Sequence, residues 1–352
     1  MSPFVLLAEP GEYVACDWDL GADTRGREYW VPFFKRHLET IFSLGKAAEL
    51  ARGGDEAAIE RRKDACRAEF HDRFDRFAAE PGGYGRGYGR VTILTLDMWR
   101  DEILRRHGFV DCFVDLKDRE NEKLLPLLPV VCGQLDGMGE EEASLAVIEG
   151  VLAGNIFDMG AEATAKQFLT GTVDFFATRK KLAPRPWVVD DVDALRRYLL
   201  EREAGKVVFF VDNAGADFLL GALPLMRWMA RRGWNVILAA NERPTLNDMT
   251  AGDIRRWWPR ILAAESSLGE LPITVVSTGT GEPLIDLSAV GDELNEAAAG
   301  ARLVVLEGMG RGIESNLDAR FVCRAANIGM LKDPMIAGRV GGKIYDCVVR
   351  FR

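Results

Sequence analysis

In KVVFFVDNAGAD an aspartate and an asparagine close an apolar run, so Asp212 and Asn213 stand where the large hydrophobic side chains give out. A carboxylate at the mouth of a buried strand is costly to desolvate unless a cation meets it. Comparable residues follow three further apolar runs. NVILAA (235–240) leads into NERPTLND with Asn247 and Asp248, and PITVVST (272–278) ends on Thr278 before GTGEP. RLVVLEG (302–308) leads into EGMGRG, with Glu307 and Arg311. Carboxylate and amide oxygens suit a hard divalent cation such as Mg²⁺ or Mn²⁺, which keeps several waters for exchange with substrate. Gly279, Gly281, Gly308 and Gly310 let backbone N–H groups approach an anion. Arg311 adds a forked donor matched to phosphate. Cation, anion cradle and arginine together read as a phosphoryl site.

Each piece alone is ordinary. Asp-Asn after a strand also serves as a helix N-cap, and PTLND also reads as an Asx-capped turn. GTGEP lacks the GxGxxG spacing of a dinucleotide loop. A haloacid-dehalogenase reading fails because its second acid, two residues after the first, would fall on Ala214. The weight comes from arrival at the same end of consecutive strands.

The elements that deliver these residues alternate. KVVFFV (206–211) is a continuous apolar run, as expected of a strand buried on both faces. ADFLLGALPLMRWMARRG follows with helical spacing and ends at Gly233. NVILAA, PITVVST and RLVVLEG are strands, with helices over GDIRRWWPRILAAES and DLSAVGDELNEAAA between them. This order predicts an α/β fold with a Rossmann-like, mostly parallel sheet and helices on both faces. Ligands of such sheets sit beyond the carboxyl ends of the strands. The final GGKIYDCVVRFR (341–352) reads as an edge strand. Residues 28–80 and the stretches from TLDMWRDEILRRHGF to EEASLAVIEGVLAGNIFDMGAEATAKQF carry helical periodicity. A helical N-terminal subdomain (1–180) is therefore expected before an α/β domain (181–352), with the boundary in FFATRKKLAPRPW.

Composition narrows the function classes. The 352 residues are 48% hydrophobic and carry a net charge of −9, which describes a globular chain with no general basic field for nucleic acid. PGGYGRGYGR (81–90) has an RGG-like composition but is very short. Six cysteines without a CxxC pair argue against a zinc knuckle or a disulfide framework. The three histidines (His37, His71, His107) all lie in the first third, so metal chemistry in the second half falls to oxygen ligands. No stretch reads as a signal peptide or a membrane span, and a cytoplasmic setting is expected.

DNAGAD, ANERPTLNDMT and EGMGRGIESN, with REYW, LKDRENE and GNIFDMGAEA in the first half, resemble the metal-dependent damage-control phosphatases. The EGMGR string is similar to the subfamily that includes plant stand-alone proteins and the phosphatase domain fused to an animal pantothenate kinase. That resemblance implies Asp212, Asn213 and Asp248 as ligands of Mn²⁺, Mg²⁺, Co²⁺ or Ni²⁺. It implies that Glu307, Gly308, Met309, Gly310 and Arg311 line the phosphate pocket, with Asp217, Asn155, Asp158 and Lys343 near the substrate. Met159, the Glu242–Arg243 pair and Lys343 depart from the family pattern, and Glu242 and Arg243 put substrate preference in doubt.

The expected activity is metal-dependent hydrolysis of a small phosphomonoester, with Asp212, Asp248 and Arg311 as catalytic residues. The resemblance implies 4′-phosphopantetheine or its damaged forms as substrate, with sugar phosphates as the alternative. Whether Asp212 or a water attacks phosphorus stays open at this level. A nucleotide- or cofactor-binding regulator without chemistry, or an interaction module in the helical half, are the rival classes. The partner is expected to be a small phosphorylated metabolite, with no nucleic acid and no membrane, and the chain a monomer or homodimer.

Overall fold

The computed structural model describes residues 1–83, 90–156 and 182–352. Seven strands form one sheet: β1 (Val189–Asp190), β2 (Lys206–Phe210), β3 (Asn235–Ala240), β4 (Ile273–Ser277), β5 (Leu303–Glu307), β6 (Arg324–Met330) and β7 (Cys347–Phe351). Their order is β1-β7-β6-β5-β2-β3-β4. Every pairing is parallel except that of β7 with β6. The four apolar runs singled out in the sequence are β2 to β5.

Burial on both faces explains why those runs lack polar alternation. Val207 and Phe209 of β2 pack into a core with the helices Glu140–Ile156, Leu223–Arg231 and Ala251–Ala264. Val208 and Phe210 face a second core on the other side, which holds Leu294 of the helix Asp292–Ala298 and the N-terminal residues Phe4, Leu6 and Leu7. Phe4 meets Phe210 edge-on at 5.6 Å between ring centroids.

Three differences from the sequence reading have physical causes. The C-terminal strand is not an edge: it lies between β6 and β1, antiparallel to β6. β6 went unrecognised because Asn327 and Gly329 interrupt its apolar run, although both are buried. The helix after β2 opens as a π-helical turn, Asp217–Ala222, before regular helix begins at Leu223. That turn packs closely on the helix Glu140–Ile156. A Cβ on Gly154 would stand 2.9 Å from the Ala216 carbonyl, and one on Gly221 would stand 3.1 Å from that of Gly150. The close approach sets Asn155 beside Asp217.

The chain divides into two compact units. One contains Met1–Ala15, Arg119–Arg243 and Asn247–Arg352, with the whole sheet; the other contains Cys16–Asp118 and Pro244–Leu246. This differs from a boundary near residue 180, because the helices from residue 119 to 156 bury their apolar faces in the core of the sheet. The second unit is built on the helices Thr24–Ala51, Glu56–Ala79 and Ile93–Arg106, N-capped by Asp23, Asp55 and Thr92. Phe70 stacks on Phe74 at 4.1 Å, and Phe74 and Phe77 meet Trp99 edge-on. Among the described residues no helix is long and apolar enough to cross a membrane.

Candidate active site

The sheet reverses its winding at β2. The chain proceeds outward through β3 and β4, then returns to lay β5 on the other side of β2. Crevices at such points are where open α/β sheets bind ligands. Here the residues after β2 and after β5 face one another, and the segment after β3 joins them.

Backbone pairing holds the first segment rigidly. The Ala214 N–H donates to the Asn247 carbonyl at 2.9 Å and the Met249 N–H to that of Asp212 at 2.9 Å, so residues 212–214 and 247–249 form a short antiparallel bridge. From the helix Val114–Leu124, Asn121 accepts a hydrogen bond from the Gly215 N–H at 2.8 Å. Asp212 and Asp248 thereby reach the same point from different loops.

Arg311 lies between them. It belongs to a π-helical turn, Met309–Glu314, that begins directly after β5 and Gly308. One guanidinium nitrogen bonds Asp212 Oδ1 and the other bonds Asp248 Oδ2 at 2.6 Å. All three side chains are buried. On the far side of Asp212, Glu307 Oε2 accepts from the Asp212 backbone N–H at 2.8 Å. Asn213 Nδ2 donates to Asp212 Oδ2 at 2.8 Å and to Asp217 Oδ2 at 3.0 Å. Asn155 Nδ2 reaches Asp217 at 3.3 Å and Glu307 at 3.4 Å, while its Oδ1 accepts from the Met330 N–H at 3.1 Å.

Four buried carboxylates (Asp212, Asp217, Asp248, Glu307) thus gather around one buried guanidinium, which pairs with Asp212 and Asp248, and the charge of Lys332 also acts on Asp212. Burial pushes Asp212 well above the usual carboxylate range; Arg311 opposes this, and the Asp248 and Asp217 charges add to it. Glu307 is raised likewise, by burial and then by the charges of Asp217 and Asp212. Burial works against the charge of Arg311, yet Asp248 and Asp212 hold its pKa above the ordinary value. Four carboxylates still outnumber Arg311 and Lys332, and the excess calls for more positive charge. Asp212, Asp217 and Glu307 each offer one oxygen within 4.8 Å of the others. An all-oxygen, acid-rich donor set of this kind fits a hard divalent cation.

The structure therefore brings together Asp212, Asn213, Asp217, Asp248, Glu307, Arg311 and Asn155 of the residues read from sequence. The tight oxygen group (Asp212, Asp217, Glu307) and the expected ligands (Asp212, Asn213, Asp248) have only Asp212 in common, and Asn213 presents its donor nitrogen to the carboxylates. Gly308, at φ +96°, lies against the Asp212 carboxylate. Met309 turns to the segment after β6, its sulfur accepting from the Lys332 N–H at 3.2 Å. Gly310 backs onto the Pro283 carbonyl. Thr278 is spent on its own loop, bonding Thr280 Oγ1 at 3.0 Å. Lys343 is exposed in the loop before β7, two strands beyond β5, and only its backbone is engaged with Asp346. Asp158 and Met159 lie outside the described residues.

Sequence reasoning missed Asn241. It is fully buried directly after β3 and donates to Asp248 Oδ2 at 3.2 Å and to the Glu282 carbonyl at 3.0 Å. Its Oδ1 is buried without a hydrogen-bond partner. The usable signal was position, since an amide opening NERPTLND right after an apolar run repeats the Asp212–Asn213 pattern.

The damage-control phosphatase ARMT1-like domain matches residues 67–348 of this chain. Pantothenate kinase 2 of Arabidopsis thaliana is 38% identical, over 99% of this chain and 41% of that protein. A damage-control phosphatase of Arabidopsis thaliana is 40% identical, over 72% of this chain and 70% of that protein. The 4′-phosphopantetheine phosphatase of Mus musculus is 28% identical, over 98% of this chain and 48% of that protein. The chain spans 41% of the length of the plant pantothenate kinase 2 proteins it matches. A DUF89 family protein from Pyrococcus horikoshii superposes with a TM-score of 0.64 at 17% identity, over 90% of this chain and 95% of that one, which is a likeness of fold.

Proposed function

The chain belongs to the damage-control phosphatase ARMT1-like domain family, and from that premise we propose that it hydrolyses small phosphomonoester metabolites with a bound divalent cation. The observation that carries this reading is the burial of four carboxylates around one guanidinium at the point where the sheet reverses its winding. Asp212 and Asp248, with Asn213 beside them, would hold the cation, because Arg311 already marks the place between the two aspartates where positive charge is required. When bound, that cation supplies Lewis-acid stabilisation of charge developing on the phosphoryl oxygens.

The chain's own groups do the rest. Arg311 carries a planar guanidinium suited to phosphoryl oxygens, and in this structure its two ends are held by Asp212 and Asp248. Glu307 fixes the Asp212 backbone, and Asp217 with Asn155 fixes the Asn213 amide, so the reacting constellation is held before substrate arrives. The name of the mouse relative supports 4′-phosphopantetheine and its damaged forms as substrates. Mn²⁺, Mg²⁺, Co²⁺ and Ni²⁺ are the cations to try. Phosphate release over a panel of small phosphomonoesters, with and without EDTA, tests the proposal in the wild type and in Asp248→Asn. Mn²⁺ should also raise the melting temperature of the wild type, and Asp248→Asn should abolish that rise. Turnover that ignores the chelator would end the metal reading, and no turnover of any phosphomonoester would end the phosphatase reading.

A further inference from the structure

The rim of the sheet opposite the carboxylates is built from arginine. A groove of about 900 Å³ opens where β2, β5 and β6 begin, and its lining includes Arg202, Arg302, Arg320, Arg324 and Arg352 against a single carboxylate, Glu203. The five-residue strands β2 and β5 separate it from Asp212 and Arg311 by roughly 17 Å at about 3.3 Å per residue. On a chain of net charge −9 this is a local reversal of sign.

The positive charge is also poorly compensated. Arg320 pairs with Glu9 at 3.1 Å and Arg302 approaches Glu203 at 3.8 Å, but Arg202 and Arg324 form no ion pair among the described residues. Arg352 Nη2 donates to the Ala319 carbonyl at 2.6 Å, whereas its Nε is buried without a hydrogen-bond partner. Burial and the like charge of Arg350 pull the Arg352 pKa down, Asp318 opposing and Arg320 adding to the pull. An α-carboxylate at residue 352 would offset one of these charges. Clustered guanidinium groups repel one another unless an anion joins them.

The geometry points to this groove as a binding site for a small molecule carrying two or more linked phosphates. Several planar forks spread along one concavity match several phosphate groups better than one. The volume lies in the range of small-ligand clefts. Tyr198, in the same wall, is held by its hydroxyl on the Arg302 carbonyl at 3.2 Å and packs its ring against Trp234 and Phe351. This site owes nothing to the proposed phosphatase chemistry.

Titration of the full chain with inorganic tripolyphosphate, with magnesium in excess, tests it by calorimetry. Arg202→Glu with Arg324→Glu is the informative variant, because both side chains are exposed and neither supports the opposite rim. Arg302 is left in place because its stem packs on Gly205. The double variant should weaken binding at least about tenfold and flatten its salt dependence, with melting temperature and phosphomonoester turnover unchanged. Asp248→Asn should bind tripolyphosphate as the wild type does. Binding that ignores the double variant, that disappears in Asp248→Asn, or that is absent from the wild type overturns the proposal. Tighter binding of a glutamate-rich peptide than of tripolyphosphate overturns the assigned ligand class.

Discussion

Replacing Gly308 by alanine should damage the candidate site more than any other single-methyl change. The residue sits at φ +96° and ψ 160°, a region open in practice only to glycine. Its would-be Cβ lies 2.2 Å from Asp212 Oδ2 and 2.4 Å from Asp212 Cγ. Backbone strain contributes about 1–3 kcal/mol, and forcing a methyl into packed surroundings about 1–3 kcal/mol more. At about 1–2 °C per kcal/mol for a chain of 352 residues, the melting temperature should fall by a few degrees or more. Ordinary contact requires the Asp212 carboxylate and the 308–311 turn to part by roughly 1 Å. A displacement of that size at reacting groups lowers turnover about 100-fold. Gly341→Ala provides the comparison. It also has a positive φ, +75°, as the C-cap of the helix Pro334–Val340, but nothing lies within 4 Å of its added Cβ. Strain alone, about 1–2 kcal/mol, should lower its melting temperature and leave kcat/KM intact. Both variants would be followed by thermal melts and by phosphomonoester kinetics. Equal activity in Gly308→Ala and wild type would refute the claim that the Asp212 carboxylate must stay where Gly308 admits it.

Asn241→Ala removes the donor that orients Asp248 Oδ2, and should raise the metal concentration for half-maximal activity about 10–100-fold; an unchanged activation curve contradicts that role. Thr245→Val removes hydrogen bonds to Asp101 at 2.6 Å and from Arg100 at 3.1 Å within a buried ionic cluster, and should cost about 1–3 kcal/mol in urea unfolding. Thr245→Ser should restore that loss; if it does not, lost packing rather than hydrogen bonding explains the effect. Burial pushes the thiols of Cys66, Cys112, Cys132 and Cys347 up to about 12 and that of Cys323 to about 11. Thiolate is the reactive form, so at pH 8 these groups should resist alkylation in the native chain. Cys323, the least buried of the five, should be labelled ahead of the other four, as mass spectrometry of the alkylated protein would show.

The α/β class, four of the strands and the residues that follow them were legible because each rests on a local signal. A strand buried on both faces must be apolar throughout, and a polar residue at its end must have a reason to be there. KVVFFVDN carries both facts in eight letters. The motifs around Asp212, Asp248 and Arg311 were legible for the same reason.

What local signals do not encode is pairing. That β5 returns beside β2, setting Glu307 under the Asp212 backbone and Arg311 across two aspartates, is a property of sheet order, which no stretch of residues contains. Asn241 looked like one more loop amide until tertiary structure placed Asp248 against it. β6 and the two π-helical turns escaped because their buried polar and glycine positions are satisfied by distant partners, as when Asn327 donates to the Gly312 and Asn316 carbonyls. Sequence by itself determined which elements form and which chemical groups they carry. Only the folded chain decided which of those groups share a charge, because desolvation and Coulomb energies depend on separations across the fold and not along the chain.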